Sequence, residues 1–138
     1  MPARDFYHDK VRNALVKDGW TIMHDPFSMK LGSADLYIDL GAEKIIAAEK
    51  GNDKIAVEIK SFLGKSIIAE TQDAIGQFIM YQEVLADYES ERILYLAIEE
   101  EVFTNDFSDA LKNLVLERLA IKVLVFSALR GEIVKWLT

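Results

Sequence analysis

Two charged residues, Glu58 and Lys60, stand in an otherwise apolar segment, KIAVEIK, which spans residues 54–60. Side chains two residues apart on a β-strand point to the same side, so a strand here would carry an acid and an amine on one face. Burying a charge without a partner is costly. Charges set into an apolar strand therefore indicate an ion pair, a metal ion or a cleft that could do chemistry.

A second strand-like segment, EKIIAAEK at residues 43–50, comes directly before the first one. The residues between them, Gly51, Asn52 and Asp53, are turn formers, so the two segments predict a tight β-hairpin. The length of the loop decides which side chains share a face. A loop of three residues would put Lys44 on the face of Glu58.

A loop of two or four residues predicts a different register for this hairpin. We then expect Glu58 to pair with Ala47 and Lys60 to pair with Ile45, which brings Glu43 to the same face one step further along. We favour this register, because it gathers the two acids and the lysine around small alanine side chains.

Carboxylates and a lysine on one strand face predict a divalent-metal site. Hard cations such as Mg²⁺ take oxygen ligands, which Glu58 could supply together with Asp39 or Glu43. Lys60 would lie beside the metal-bound water, where its charge lowers the pKa of that water or stabilises a pentacovalent phosphate. A metal-binding carboxylate and a nearby lysine are the groups that a phosphodiesterase needs. The alternative is that Glu58 and Lys60 form an exposed ladder, paired with their neighbours.

The remaining elements follow from periodicity and from turn-forming residues. We predict helices over 5–18, 67–88 and 106–118, and strands over 20–23, 36–40, 43–50, 54–60, 92–98, 122–126 and 132–137. This order indicates one domain over residues 1–138, of the α/β or α+β class, with a central sheet flanked by helices. The run of three acids at residues 99–101 is predicted to be a solvated loop.

Four further side chains bear on the site. Gln77 and Tyr81 lie one turn apart on the second helix and share its apolar side. On the inward side of the first helix stands His8, which is either a core residue or a residue of the cleft. His24 is expected at the surface or in a local hydrogen bond.

The amino-acid composition and the net charge exclude several classes of function. The chain has no cysteine, which excludes disulfides, thiolate zinc sites and cysteine nucleophiles and fits a reducing cytoplasm. No apolar run is long enough for a membrane span. The net charge is −7: residues 1–65 hold ten basic and ten acidic side chains, and residues 66–138 hold six and thirteen. Only the neutral first half, with a metal ion bound, could therefore meet a phosphate backbone.

The order of an acid, VEIK at the end of a hairpin strand and then a helix resembles the PD-(D/E)xK nuclease superfamily, also called restriction endonuclease-like. The segment from Gln77 to Tyr81, QFIMY, matches the QxxxY extension of its RecB-type members. The resemblance implies that Glu58 and Lys60 are the acid and lysine of the motif and that Mg²⁺ or Mn²⁺ is the cofactor. It leaves Asp39 and Glu43 as the two candidates for the leading acid, because one has the right residue type and the other the better spacing.

A closer resemblance, to the XisH family, is carried by four segments: FYHDKVRNALVKDGWTI, YIDLGAEKIIAAEK, KIAVEIKSF and ERILYLAI. Members of this family are controlling factors for excision of the fdxN element in cyanobacteria. The resemblance covers nearly the whole chain. It implies action on DNA beside a site-specific recombinase, with a partner of the XisI family, and small nucleases of this architecture often work as homodimers.

Two functions are favoured by the sequence, and a third, a metal-independent binder of DNA structures, is disfavoured because residues 1–65 lack the net positive charge that such binding needs. The first is a metal-dependent endodeoxyribonuclease in which Glu58, Lys60, Asp39, Glu43 and Gln77 are catalytic, while Tyr81 and His8 contact the substrate. The second is an inactive scaffold that keeps the nuclease fold and regulates a recombination complex, which the acidic second half could join by docking a basic partner.

Overall fold

The computed structural model of the chain describes residues 3–4, 6–35, 42–43, 45–64 and 66–138. Its strands are β1 (Ala3–Arg4), β2 (Thr21–His24), β3 (Lys30–Leu31), β4 (Ala34–Asp35), β5 (Ala42–Glu43), β6 (Ile45–Lys50), β7 (Asp53–Ile59), β8 (Ile93–Glu99), β9 (Val123–Ser127) and β10 (Glu132–Leu137). Its α-helices are α1 (His8–Lys17), α2 (Ile67–Tyr88) and α3 (Asp109–Asn113).

One mixed sheet of six strands organises the fold, in the order β10-β9-β8-β7-β6-β2. The strands β7, β8 and β9 run parallel to one another. On their two sides β6 pairs with β7 and β10 pairs with β9, both antiparallel, and β2 pairs antiparallel with β6. Two short pairs, β1 with β5 and β3 with β4, lie outside this sheet. The observed architecture is thus the predicted α/β class, a mixed sheet flanked by helices.

Helices cover both faces of the sheet, and a separate apolar cluster lies under each. On one face α2 and the helical turns around α3 pack through Phe78, Tyr81 and Leu111. On the other face α1 packs through Val11 and Leu15. Because β7, β8 and β9 are covered on both sides, they are apolar almost throughout, as parallel strands in such sheets usually are. No helix within the described residues is long and apolar enough to cross a membrane.

The central hairpin closes with a two-residue turn at Gly51 and Asn52, because Lys50 pairs with Asp53. Gly51 has a φ of 62°, a left-handed conformation that a turn of this length requires and that glycine adopts without strain. The turn therefore decides the register of every residue pair further along the two strands.

The predicted pairings of Glu58 with Ala47 and of Lys60 with Ile45 are wrong. Glu58 pairs with Ile45, two positions away, while Ala47 lies opposite Ala56. The predicted face is nevertheless right, because a shift of two residues along a strand keeps every side chain on the same side. Lys60 lies one residue beyond the end of β7, so it has no partner position in this ladder.

Elements whose ends are marked by capping or turn-forming residues were predicted well. The observed bounds of α2 and β10 coincide with the predicted ranges 67–88 and 132–137. Ser66 caps α2, since its side chain accepts a hydrogen bond from the backbone N–H of Ala69. The strand predicted over residues 36–40 lies outside the described residues.

The helix predicted over residues 106–118 begins three residues later than expected. The helical backbone runs without a break from Asp109 to Arg118, as α3 followed directly by a π-helical turn at Leu114–Arg118, and a separate π-helical turn at Val102–Asp106 precedes it. Ser108 is extended and caps α3 by accepting a hydrogen bond from Leu111 N–H. The cap therefore fixes the start of the helix just after Phe107, whose side chain is buried, as are those of Leu111 and Val115.

The first acid of the 99–101 run is also not solvated as predicted. Glu99 is buried at the end of β8, and its two carboxylate oxygens accept hydrogen bonds from the backbone N–H groups of Glu101 at 2.6 Å and Ala128 at 3.1 Å. The side chain therefore joins the end of β8 to the turn between β9 and β10. Backbone N–H groups at a strand end have no ladder partner, and a carboxylate satisfies two of them at once.

Replacing Glu99 with alanine is expected to lower the free energy of unfolding by about 2 kcal/mol, because two backbone donors lose their charged acceptor. The same change at neighbouring Glu100 is the matched control and should cost less than about 0.5 kcal/mol. Urea denaturation followed by circular dichroism measures both. Equal losses in the two variants would show that the Glu99 hydrogen bonds contribute nothing to stability.

Candidate functional site

Glu58 lies in the centre of the sheet and faces α2. It pairs with Ile45 on one side and with Leu96 of β8 on the other, and its exposed fraction is 0%. The sequence indicated an ion pair, a metal ion or a cleft at this position, and the structure surrounds the Glu58 side chain completely with protein. An acid in the middle of an apolar layer works against stability. Such a placement is typical of a functional residue.

Tyr81 of α2 projects its hydroxyl toward the same carboxylate. Burial, and after it the negative charge of Glu58, raise the pKa of this hydroxyl above its usual range. Tyr81 has no exposed surface, and its hydroxyl has no hydrogen-bond partner among the residues that the structure describes. Glu58 and Tyr81, predicted to share the site, are thus close enough to influence each other's charge.

The Tyr81 pKa predicts a loss of stability in alkali. In the unfolded chain a tyrosine ionises near pH 10, whereas folded Tyr81 keeps its proton above that pH. Ionisation therefore favours the unfolded chain, and the free energy of unfolding falls as the pH rises above 10. In Tyr81→Phe the decrease in the free energy of unfolding between pH 9 and pH 11 should be about 1 kcal/mol smaller than in the native protein. Urea unfolding at both values measures it. Tyr88→Phe, at an exposed position, is the control and should lose as much as the native protein.

Lys60 follows directly after β7, and its amine forms an ion pair with Glu70 in the first turn of α2. The distance between Lys60 Nζ and Glu70 Oε2 is 2.9 Å, and the side chains are 14% and 22% exposed. The pair joins the end of the central strand to the start of the facing helix. Partial burial holds the amine in one place but leaves it within reach of solvent.

An open cavity of about 190 Å³ lies beside this ion pair. Lys60, Ser61, Gly64 and Glu70 are among the residues that line it. A methyl group added at Gly64 would meet Glu70 Oε1 at 1.9 Å, so a larger residue here would require the Glu70 carboxylate to move from its present position beside Lys60. Access to the site from solvent is therefore through Lys60 rather than through Glu58.

The backbone after Lys60 adopts a strained conformation. Phe62 has a φ of 55°, in the left-handed region that costs a residue with a side chain roughly 1–2 kcal/mol. Its ring packs edge-to-face on Phe107 at a centroid distance of 5.4 Å, and this contact holds the conformation. Non-glycine residues in this conformation concentrate at functional sites.

The other predicted residues are placed as follows. Gln77 is half-buried on α2, one turn before Tyr81. The backbone of Glu43 belongs to β5, but its side chain, like the whole of Asp39, lies outside the described residues. Within the described part of the chain, no three side chains of metal-binding type come together. Of the three predicted metal ligands, Glu58 is therefore the one whose side chain is described, and the choice between Asp39 and Glu43 stays a prediction.

His8 lies on the opposite side of the sheet from Glu58, because it belongs to α1. It is 1% exposed, and its Nε2 atom contacts Asp25 Oδ1 at 2.5 Å. Asp25 also pairs with Arg12, whose Nε lies 2.9 Å from Oδ2. The carboxylate of Asp25 thus joins the first helix to the turn after β2. His24, predicted at the surface, is exposed and stacks on Phe27.

Sequence reasoning missed Glu70 and Ser61. Glu70 stands seven residues before Gln77 and eleven before Tyr81, which places all three on one side of α2, so helical spacing could have found it. The hydroxyl of Ser61 accepts a hydrogen bond of 3.3 Å from the backbone N–H of Tyr7, and it ties the end of β7 to the start of α1. No local pattern marks that contact, which joins residues 54 positions apart.

The donor set fits a divalent cation only in part. A buried carboxylate such as that of Glu58 is a ligand that Mg²⁺ accepts, but one carboxylate does not make a site. A second acid from the predicted pair, Asp39 or Glu43, is needed to complete it.

These observations define the class of the protein: a mixed α/β domain that places a buried acid and a lysine held by an ion pair at the carboxyl end of its central strand. The chain belongs to the XisH family, since residues 1–134 match the model of the XisH protein family.

Two crystal structures support this assignment. One is of an XisH family protein from Nostoc punctiforme PCC 73102, with 37% sequence identity and a TM-score of 0.86 over 97% of this chain and 100% of that chain. The other is of an fdxN element excision controlling factor protein from Anabaena variabilis, with 36% identity and a TM-score of 0.85 over 96% and 98%. No protein with a curated description matches the chain.

Proposed function

We propose that this protein acts on DNA to control the excision of a DNA element, and that it hydrolyses phosphodiester bonds with Mg²⁺ or Mn²⁺. The role in excision is suggested by the similar Anabaena variabilis protein, an fdxN element excision controlling factor. The observation that best supports the chemistry is that Glu58 and Lys60, on the strand side facing α2, lie opposite the helix that carries Tyr81 and Gln77. This is the arrangement that the PD-(D/E)xK motif would require.

Each side chain has a role in this proposal. Glu58, with Asp39 or Glu43, would hold the cation, which when bound supplies charge and lowers the pKa of a coordinated water. Lys60 would exchange the carboxylate of Glu70 for a phosphate oxygen and stabilise the charge that develops there.

Three further residues would position the reacting groups. Gln77 would hydrogen-bond a phosphate oxygen or the attacking water. Like any tyrosine, Tyr81 is neutral at physiological pH, and its raised pKa makes ionisation harder still, so it could donate a hydrogen bond in the site but not act as a base. His8, paired with Asp25 behind the sheet, would support the fold of the first helix beside Ser61 and not reach the phosphate directly.

The partners that we propose are DNA, an XisI-family protein and a site-specific recombinase, with a homodimer as the form that would cut both strands. The cytoplasm is the compartment in which these partners would meet. The excess of acidic residues lies in the second half of the chain, so DNA would approach over the balanced first half, which contains Lys60.

The test is cleavage of duplex, branched and single-stranded DNA in the presence of MgCl₂ or MnCl₂. Lys60→Ala should reduce cleavage by about tenfold or more, because a positive charge at the phosphate is lost. Lys54→Ala is the matched control: Lys54 lies on the same side of the same strand, at the other end, and should leave the rate unchanged. A native rate in Lys60→Ala would overturn the proposed mechanism.

A second candidate function is a regulatory scaffold without catalysis. One observation favours it: the side chain of Glu58 has no exposed surface. Calorimetric titration with MgCl₂ separates the two functions. Heat that saturates in the millimolar range or below in the native protein, and disappears in Glu58→Gln, favours the enzyme. Absence of binding in both, together with intact DNA in the cleavage assay, favours the scaffold.

A further inference from the structure

A second cavity lies on the α1 face of the sheet, where α1 does not reach. Three aromatic side chains line this part of the sheet face: Trp20, Tyr95 and Trp136. The rings of Trp20 and Trp136 are 5.7 Å apart, and those of Tyr95 and Trp136 are 4.9 Å apart in an edge-to-face arrangement. They border a cavity of about 270 Å³, here named the aromatic pocket.

Two carboxylates, Asp53 and Glu91, also line the aromatic pocket. Burial, and after it the charge of Asp53, raise the pKa of the Tyr95 hydroxyl, which places that charge close to the ring. Glu91 is 80% exposed and contacts Lys54 at 3.5 Å, a weak pair that leaves it open to a second cation. Aromatic faces and carboxylates together attract a cation with a flat or apolar body.

Cationic side chains of the protein itself already lie close to aromatic rings. The amine of Lys50 lies 5.8 Å from the centroid of the Trp20 ring. Elsewhere in the chain, the guanidinium of Arg92 lies 5.5 Å from the Phe27 ring centroid and pairs with Glu49 and Glu89. An aromatic face with two carboxylates is thus a combination that this fold uses to hold an arginine.

We propose that the aromatic pocket binds the side chain of an arginine that a basic partner protein presents. A guanidinium stacks on indole rings and pairs with carboxylates in one plane, which a compact ammonium does not do as well. Nucleic acid is disfavoured, because the carboxylates of Asp53 and Glu91 would repel phosphate.

The aromatic pocket is separate from the Glu58–Lys60 site. It lies where β7 and β8 begin, beside Ile55 and Ile93, whereas Lys60 follows the end of β7. Five residues along a strand correspond to roughly 16 Å. A partner held in the pocket would therefore leave the other site free, so the two proposals can be tested independently.

The two tryptophans of the chain both line the pocket, so their fluorescence reports on its occupancy. The probes are the tripeptide Gly-Arg-Gly, blocked at both ends, and its citrulline analogue, which has nearly the same shape but no charge. We expect the arginine peptide to give a saturable change and the citrulline peptide to bind at least about fivefold more weakly. Equal responses to the two peptides, or no saturable response to either, would overturn the proposal.

A double variant, Asp53→Asn with Glu91→Gln, tests the carboxylates. It should weaken binding of the arginine peptide about fivefold, because both counter-charges are lost. The matched control is Glu83→Gln with Asp87→Asn, which changes the net charge equally on the exposed side of α2 and should bind as the native protein does. Native affinity in the first variant would refute the assignment. The comparison of the two peptides on the native protein needs no variant to fold.

Discussion

Replacing Arg92 with leucine is expected to lower the free energy of unfolding by about 3–5 kcal/mol, the largest loss of stability that we expect for one substitution in this chain. The Arg92 side chain is 2% exposed. Its NH1 group donates to the backbone carbonyls of Ala48 and Ile55, at 3.3 and 3.0 Å. Its remaining nitrogens contact the carboxylates of Glu49 and Glu89, both at 3.1 Å.

The loss is expected to be large because Arg92 joins three elements. It lies just before β8, and it binds the hairpin of β6 and β7 and the residue that ends α2. Without the guanidinium, two buried carbonyls and two carboxylates lose their donor. Arg92→Lys should recover part of the loss, since an ammonium keeps the charge but cannot donate to four acceptors in one plane.

The control for Arg92 is Arg130, which pairs with Glu132 and Glu100 at the surface and is 52% exposed. Arg130→Leu should cost much less than Arg92→Leu, because solvent screens both pairs. Urea unfolding followed by circular dichroism measures all three variants. An Arg92→Leu protein as stable as Arg130→Leu would mean that the buried contacts of Arg92 do not hold the sheet together.

The second large effect is expected in activity. If the proposed function is right, Glu58→Gln should lower DNA cleavage by about 100-fold or more, because an amide cannot replace a carboxylate as a ligand for a hard cation. The free energy of unfolding should stay within about 1 kcal/mol of the native value or rise. Glutamine has the same shape as glutamate, and it brings no charge into the apolar layer between β7 and α2.

A loss of activity without a loss of stability is the result that separates function from structure at Glu58. Cleavage rates with MnCl₂ and urea unfolding are measured on the same preparations. The control is Glu117→Gln, at an exposed position, which should change neither quantity. If Glu58→Gln cut DNA at the native rate, Glu58 would be a structural residue and the regulatory scaffold would be the better description.

Local patterns in the sequence determined the elements and the faces. The predicted ranges of α2 and β10 agree with the structure, because a serine cap starts one and Arg130-Gly131 precedes the other. The alternation of KIAVEIK was enough to put Glu58 and Lys60 on one strand face, and the structure shows that this face packs against α2. Such features depend on neighbours in the chain, so periodicity and capping reveal them.

The tertiary structure alone decided which charges meet and which are buried. Glu70 holds Lys60, Glu99 is tied to Ala128, and Arg92 reaches Ala48. The last two contacts join residues 29 and 44 positions apart, and no spacing rule predicts such a partner. A two-residue turn likewise set the register that puts Glu58 opposite Ile45. The physical reason is that a charge inside a fold is stabilised by whatever the topology brings beside it, and that depends on the packing of the whole sheet.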